Sequence, residues 1–164
     1  MQFDHIIEIN DPFNPLIEPM ARDQLWRGLV LRAETPGAFV PWLDSCKLFD
    51  RTPESVSREL HYGDLTIVDR VTFVPQQEIL YQVPQQKDIP ASSLRVSIEE
   101  PQADRFIVRF AYDDGREEAE GAVDAMYNQF RQSAYLESDI DTIRVIRQLA
   151  QGGQLDAPVA SGNQ

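Results

Sequence analysis

The sequence predicts an α+β fold in which a curved antiparallel sheet of about seven strands wraps around a long C-terminal helix. Between residues 46 and 112, apolar residues recur at every second position, which is typical of strands with one buried face. From residue 116 onward the apolar residues recur at helical spacing instead. A shorter helical pattern precedes the strands, so helices are available on both sides of the sheet.

The segment before the sheet predicts one strand and two short helices. Residues 5–10 form a short strand, which Asp11-Pro12 ends. Residues 21–34 form a helix that stops at Pro36-Gly37. Its apolar stripe consists of Leu25, Trp26, Leu29, Val30 and Ala33. The residues of a very short second helix or turn follow, namely Phe39, Val40, Trp42 and Leu43.

The alternating region predicts consecutive strands joined by tight turns. Gly63-Asp64 is a two-residue hairpin loop, residues 75–77 form a longer one, and residues 113–115 end the last strand. The apolar face comprises Val56, Leu60, Tyr62, Leu65, Ile67, Val71, Phe73, Ile79, Tyr81, Val83, Leu94, Val96, Ile98, Phe106, Val108, Phe110 and Tyr112.

The C-terminal region predicts a long helix over residues 117–135, followed by a second helical segment over residues 139–151. One continuous stripe of the first segment is expected to face the sheet. It consists of Ala119, Val123, Met126, Tyr127, Phe130 and Ala134. We expect residues 1–153 to form a single domain and residues 154–164 to form a flexible polar tail.

Composition restricts the partners. The net charge of −12 argues against nucleic acid and anionic membranes, which both require basic patches. No apolar run reaches the length of a membrane span, and the N-terminal residues lack the pattern of a signal peptide. Cys46 is the only cysteine, which excludes an internal disulfide and favours a reducing cytoplasm.

The order of elements suggests an internal cavity. A sheet of this many strands twists and curls, and only one of its faces is apolar. Helices must therefore cover that face, yet one helix laid across a curled sheet need not fill the interior. Interiors of this kind commonly hold small molecules.

Four segments carry a resemblance to a known family: residues 5–10, 22–29, 98–101 and 106–112. They resemble the AtaL-like family of bacterial and fungal proteins, named after a fungal member linked to acetylaranotin biosynthesis. That family is placed in the START and birch-pollen-allergen superfamily, known as SRPBCC. The resemblance covers about residues 1–153 and implies a helix-grip fold. One departure is Ala21, where a hydroxyl N-cap is expected. The superfamily includes binders of lipids, hormones and polyketides as well as cyclases and hydrolases, so the resemblance implies a cavity without fixing an activity.

Hairpin geometry predicts an ion pair on the apolar face. With Gly63-Asp64 as the loop, Arg58 lies opposite Asp69. Two unpaired charges there would each cost several kcal/mol to bury, so they are expected to pair. The pair is either a satisfied structural element or a polar anchor for a ligand.

Other candidate residues give weak signals. His61 is predicted on the polar face, Cys46 as a buried inert thiol, and Glu100 at a solvated strand end. The histidines and the single cysteine lack zinc spacing, and the sequence contains no calcium loop, phosphate-binding loop or dinucleotide fingerprint. We therefore expect no metal, no cofactor and no catalytic residue identifiable from sequence.

The aromatic residues indicate what the cavity would hold. Many project toward the predicted interior, and buried tyrosines require hydrogen-bond partners, which favours a partly polar cavity. The predicted ligand-binding residues are Trp26, Phe39, Trp42, Arg58, Tyr62, Asp69, Phe73, Tyr81, Phe110, Tyr112, Met126, Tyr127 and Phe130. The sequence thus favours a carrier or sensor of a lipophilic, aromatic or polyketide-like molecule. The alternatives are a cyclase or hydrolase that uses Arg58, Asp69 and a tyrosine, and an interaction module without a ligand.

Overall fold

The computed structural model describes residues 1–117 and 121–157. Within them the chain forms seven strands, two α-helices and one 3₁₀ turn. In chain order these are β1 (Gln2–Asn10), α1 (Arg22–Glu34), the 3₁₀ turn (Pro36–Ala38), β2 (Ser45–Phe49), β3 (Ser55–Tyr62), β4 (Leu65–Val74), β5 (Glu78–Val83), β6 (Ser92–Gln102), β7 (Arg105–Asp113) and α2 (Ala122–Gln151). The predicted α+β helix-grip class is confirmed. The second short helix is a single 3₁₀ turn that begins three residues earlier than expected.

The seven strands form one antiparallel sheet in the order β1-β7-β6-β5-β4-β3-β2. Among the strands in the described residues, β2 to β7 follow each other as neighbours, and only the pairing of β1 with β7 joins distant parts of the chain. The predicted Gly63-Asp64 hairpin has the expected register, with Tyr62 opposite Leu65 and Arg58 opposite Asp69. Gly63 has a φ of 58°, a left-handed conformation that glycine adopts without steric cost.

The apolar face of the sheet packs against α1 and the C-terminal half of α2. Leu25, Leu29 and Ala33 of α1 and Ile143 and Ile146 of α2 are buried in the same core as the strand residues. The two helices approach closely at Gly28, where an added Cβ would lie 2.5 Å from the side chain of Ile146.

The start of α1 fits the predicted departure at its N-cap. Ala21 has no side chain that can cap the helix. The side chain of Gln24 instead accepts a hydrogen bond from the backbone N–H of Ala21, at 2.9 Å.

The predicted packing of the N-terminal half of α2 is wrong. The two helical segments form one continuous helix, and its main contacts are with α1 and β1. The side chains expected to face the sheet are exposed: Val123 by 62 %, Met126 by 46 %, Tyr127 by 54 % and Phe130 by 62 %. Periodicity shows that these residues share a face, but it does not show what covers that face. Ala119, the first residue of the predicted stripe, lies outside the described residues.

The start of the predicted flexible tail also needs correction. Leu155 is buried, its carbonyl accepts a hydrogen bond from Arg27 at 2.9 Å, and Asp156 accepts one from Gln24 at 2.9 Å. The chain therefore remains packed on α1 beyond residue 154, because one apolar side chain enters the core after the helix ends. Residues 158–164 lie outside the described part of the chain.

No helix in residues 1–117 and 121–157 is long and apolar enough to cross a membrane.

Candidate functional site

A cavity of about 310 Å³ lies on the concave face of the sheet. Strands β3 to β7 form its floor, and α1, the loop before β2 and the middle of α2 form its walls. The lining residues are Arg32, Val40, Trp42, Arg58, Leu60, Tyr62, Ile67, Asp69, Tyr81, Val83, Ser92, Ser93, Leu94, Tyr112, Asp113, Asp114, Tyr135 and Ser138. Its volume falls at the lower end of the range of small-molecule sites.

A larger depression of about 680 Å³ lies beside the loop that follows β1. Surface residues of that loop form most of its lining. Its buried polar side chain, Asn10, is already satisfied by both backbone groups of Met20, at 2.7 and 2.9 Å. The concave-face cavity is the better candidate site because buried charged groups converge on it.

Arg58 and Asp69 form the predicted ion pair at the floor of the cavity. Arg58 donates from Nε to Oδ1 at 2.9 Å and from Nη2 to Oδ2 at 2.6 Å, a bidentate geometry. Both residues are buried, with exposed fractions of 6 % and 4 %. Arg58 also donates from Nη1 to the carbonyl of Ala33 at 3.0 Å, so it caps the C-terminal turn of α1. This interaction joins two strands and a helix at one point.

The ring of Tyr81 contacts two cations. The guanidinium carbon of Arg58 is 5.0 Å from the centre of the Tyr81 ring, and that of Arg32 is 5.3 Å from it. Both distances are within the range of cation–π attraction. The aromatic ring therefore helps to hold two positive charges at one end of the cavity.

A second polar cluster lies behind the wall formed by Tyr112. Asp139 of α2 is fully buried and accepts hydrogen bonds at Oδ2 from the Tyr112 hydroxyl, at 2.6 Å, and from His5 Nε2, at 2.8 Å. Its Oδ1 lies 3.9 Å from Nη2 of Arg32 and has no hydrogen-bond partner among the described residues. The Tyr112 ring stacks on that of Tyr135, with the centroids 4.4 Å apart.

Burial is the main cause of the pKa shifts of the tyrosines at the cavity and of Asp139. It raises the pKa of the phenols of Tyr62, Tyr112 and Tyr135, and the negative charge of Asp139 raises that of Tyr112 further. All three are therefore neutral hydrogen-bonding groups at pH 7. Burial also raises the pKa of Asp139, although Tyr112, Arg32 and His5 oppose this effect.

The structure places the predicted ligand-binding residues in three groups. Those that line the cavity are Trp42, Arg58, Tyr62, Asp69, Tyr81 and Tyr112. Those that pack in or against the core without lining the cavity are Trp26, Phe39, Phe73 and Phe110. Those on the exposed face of α2, also outside the cavity, are Met126, Tyr127 and Phe130.

The sequence analysis did not identify Arg32, Asp139 or Tyr135, all of which belong to this site. A signal for the first two was present. Arg32 is seven residues after Leu25 on the buried stripe of α1, and Asp139 is four residues before Ile143 on the buried stripe of α2. A charged residue at a buried helical position indicates a polar partner inside the fold.

The weaker candidates have structural roles. His61 bonds the Thr66 hydroxyl at 3.1 Å, and Glu100 accepts the N–H of Asp104 at 2.9 Å in the β6–β7 turn. Cys46, predicted to be a buried inert thiol, is partly buried, and burial raises the pKa of its thiol. In the part of the chain that the structure describes, no group of three or more His, Cys, Asp or Glu side chains could hold a metal ion.

Removing one partner of the Arg58–Asp69 pair should be more harmful than removing both. We expect Asp69→Ala to lower the free energy of unfolding by about 3–5 kcal/mol, because it strands a buried charge. The double variant Arg58→Met/Asp69→Leu should lose much less. Urea unfolding measures both values.

The control for this comparison is Arg51→Ala, which removes one partner of the exposed Arg51–Glu34 pair and should cost less than about 1 kcal/mol. An Asp69→Ala protein as stable as the wild type would refute the energetic role of the pair.

The raised pKa of Asp139 predicts a pH-dependent stability difference. A carboxyl whose pKa is higher in the folded than in the unfolded protein stabilises the fold fully below about pH 4, its unfolded pKa. That contribution is lost as the pH rises through the folded pKa. The stability of wild type relative to Asp139→Asn should therefore fall as the pH rises above about 4. Denaturant unfolding at several pH values measures it.

Asp141→Asn is the matched control, since it removes an exposed carboxylate from the same helix. A wild-type advantage over Asp139→Asn that grows with pH would contradict the assignment.

Three solved structures show how widely this fold occurs. StfQ, a di-domain ARO/CYC from the steffimycin biosynthetic pathway, is 12 % identical with a TM-score of 0.67, over 93 % of this chain and 52 % of its own. The chain thus spans about half the length of that protein. Zhui aromatase/cyclase from Streptomyces sp. R1128 is 13 % identical with a TM-score of 0.64, over 99 % and 98 % of the chains. A START superfamily protein from Mycobacterium smegmatis is 12 % identical with a TM-score of 0.61, over 90 % and 98 %. At these identities the likeness establishes the fold alone.

Sequence comparison identifies the family. No curated protein sequence matches the chain significantly. The profile of one family, described as "AtaL: Acetylaranotin biosynthesis cluster protein L", matches residues 7–153, in agreement with the resemblance that the four sequence segments predict. The chain belongs to the AtaL family.

Proposed function

We propose that this protein binds a lipophilic, aromatic or polyketide-like small molecule in the concave-face cavity, as a carrier or sensor. The observation that carries the proposal is a cavity of about 310 Å³ in which ten apolar or aromatic side chains meet eight polar or charged ones. In ligand pockets the apolar surface supplies affinity and the fixed polar groups supply orientation.

The walls favour a ligand with rings. Trp42, Tyr62, Tyr81, Tyr112 and Tyr135 all present aromatic surface to the cavity. Aromatic side chains pack on other rings in offset or edge-to-face geometry, with a gain beyond their buried area. Neutral tyrosine hydroxyls can donate hydrogen bonds to carbonyl or hydroxyl oxygens of the ligand.

Four of the predicted ligand-binding residues lie behind the cavity walls, and we propose that they support the residues that line it. Trp26, Phe39, Phe73 and Phe110 lie in or against the core and hold the lining residues in place. A direct contact of Met126, Tyr127 or Phe130 with ligand stays a prediction.

The comparisons support the choice of ligand class. Two proteins with this fold are described as aromatase/cyclases, one of them from the steffimycin biosynthetic pathway. The family description refers to a biosynthetic cluster. These names suggest that an aromatic or polyketide-like ligand suits a cavity of this fold.

Binding is better supported than catalysis. A cyclase or hydrolase acting here through Arg58 and Asp69 would need those groups available to the substrate. Both oxygens of Asp69 instead accept hydrogen bonds from Arg58, which in turn bonds the Ala33 carbonyl. The pair therefore supports the wall of a binding site in its present arrangement.

A bulky residue in the cavity should block binding. N-phenyl-1-naphthylamine, an apolar fluorescent probe, should bind the wild type and change the emission of Trp42, which lines the cavity. Ile67→Trp places an indole in the cavity and should weaken binding about tenfold or more, the effect of losing one well-packed contact. Fluorescence titration measures both dissociation constants.

Val68→Trp is the matched control, because alternation along β4 directs the side chain of Val68 away from that of Ile67. It should leave probe affinity unchanged. Equal loss of affinity in both variants, or no binding by the wild type, would contradict the proposed site.

A further inference from the structure

Arg32 is a cation on the cavity wall that retains most of its hydrogen-bonding capacity. Its guanidinium carries five N–H donors. Among residues 1–117 and 121–157 it donates from Nε to the Thr142 hydroxyl at 3.2 Å, and the Tyr81 hydroxyl is a second polar group close to it. Its nearest carboxylate oxygen, on Asp139, lies 3.9 Å from Nη2, beyond hydrogen-bonding distance. The side chain is only 17 % exposed, so bulk water satisfies it poorly.

The other charged groups of the cavity are already engaged. Arg58 and Asp69 neutralise each other through two hydrogen bonds. Asp114, just after β7, accepts hydrogen bonds from the N-terminal ammonium at 3.1 Å and from the N–H of Arg116 at 3.0 Å, and the half-exposed Asp113 accepts the N–H of Gly115 at 3.1 Å. None of these groups compensates the charge of Arg32 directly.

Asp139 compensates Arg32 only in part. Oδ2 of Asp139 accepts hydrogen bonds from Tyr112 and His5, and it accepts none from Arg32. Arg58 lies over the same Tyr81 ring, but Asp69 neutralises its charge, so Arg32 is the cation at this end of the cavity that still has free donors.

A guanidinium of this kind selects for anionic oxygens. It is planar, weakly hydrated and suited to two parallel hydrogen bonds with a carboxylate or similar group. A partly buried cation with unused donors is costly, and a ligand anion would relieve that cost. The Tyr81 ring holds the guanidinium in position and reduces the entropy lost on binding.

We propose that Arg32 binds an acidic oxygen group of the ligand, so that the natural ligand is a lipophilic acid, such as an aromatic carboxylate or an ionised enol. This inference rests on the proposed binding function and adds the chemical class of the ligand. The acidic group meets the free N–H donors of Arg32, whose guanidinium stays on the Tyr81 ring, and the apolar body extends toward Leu60, Ile67 and Trp42.

Two probes with the same ring system test this inference. 1-Anilinonaphthalene-8-sulfonate carries a sulfonate that N-phenyl-1-naphthylamine lacks. Fluorescence titration gives both dissociation constants for the wild type and for Arg32→Gln. The variant should bind the sulfonate probe about tenfold or more weakly, the effect of losing one charge-assisted hydrogen bond, while its affinity for the neutral probe changes less than about twofold.

Two further variants control for net charge and for folding. Arg95→Gln removes a positive charge from a half-exposed site that pairs with Glu78, and it should leave both affinities unchanged. Arg32→Lys keeps the charge and should retain most of the preference for the sulfonate probe.

The outcomes separate the two proposals. Failure of the neutral probe to bind the wild type would refute the binding function itself. Normal binding of the neutral probe, with the same sulfonate affinity in Arg32→Gln as in the wild type, would overturn the role of Arg32 alone. An equal loss for both probes in Arg32→Gln would also overturn it, since a structural role predicts that result.

Discussion

The buried ion pair of Arg58 and Asp69 ties together the parts of the fold that shape the cavity. It fixes two strands to each other through bidentate hydrogen bonds, and a further hydrogen bond holds the C-terminal turn of α1 against the sheet. The guanidinium groups of Arg58 and Arg32 both contact the ring of Tyr81. One desolvated pair thus positions a helix, an aromatic wall and a second cation. Such a pair brings little net stability compared with apolar residues, but its geometry is specific.

Incomplete cover of the concave face links this arrangement to binding. The apolar face of the sheet must be shielded from water, and α1 with the C-terminal half of α2 shields only one end of it. The remaining part is the cavity, bounded by tyrosines that burial keeps neutral and by Arg32. A bound ligand would shield from water the apolar surface of the sheet that the helices leave uncovered. Apolar area drives such binding, and the fixed polar groups select among ligands.

Local pattern in the sequence was enough to predict much of this structure. Period-two alternation predicted the sheet, and the two-residue loop at Gly63-Asp64 predicted the pairing of Arg58 with Asp69, because register follows from the turn. Long-range packing was not accessible in the same way. The stripe that contains Tyr127 and Phe130 has a clear helical period, yet the sequence does not state which surface lies beneath it. Arg32 and Asp139 were not predicted, because the buried face of a helix is recognised by the spacing of its apolar residues and these two are charged. Their meeting depends on how α1 crosses α2, which no local pattern encodes.

The location of a bound ligand tests the central claim most directly. The account predicts that a crystal structure of the protein with N-phenyl-1-naphthylamine shows the probe on the concave face of the sheet, between Tyr81 and Trp42, with the Arg58–Asp69 pair intact beneath it. Probe density in the depression beside the loop after β1, or on the exposed face of α2 with the concave cavity filled by side chains, would contradict the account.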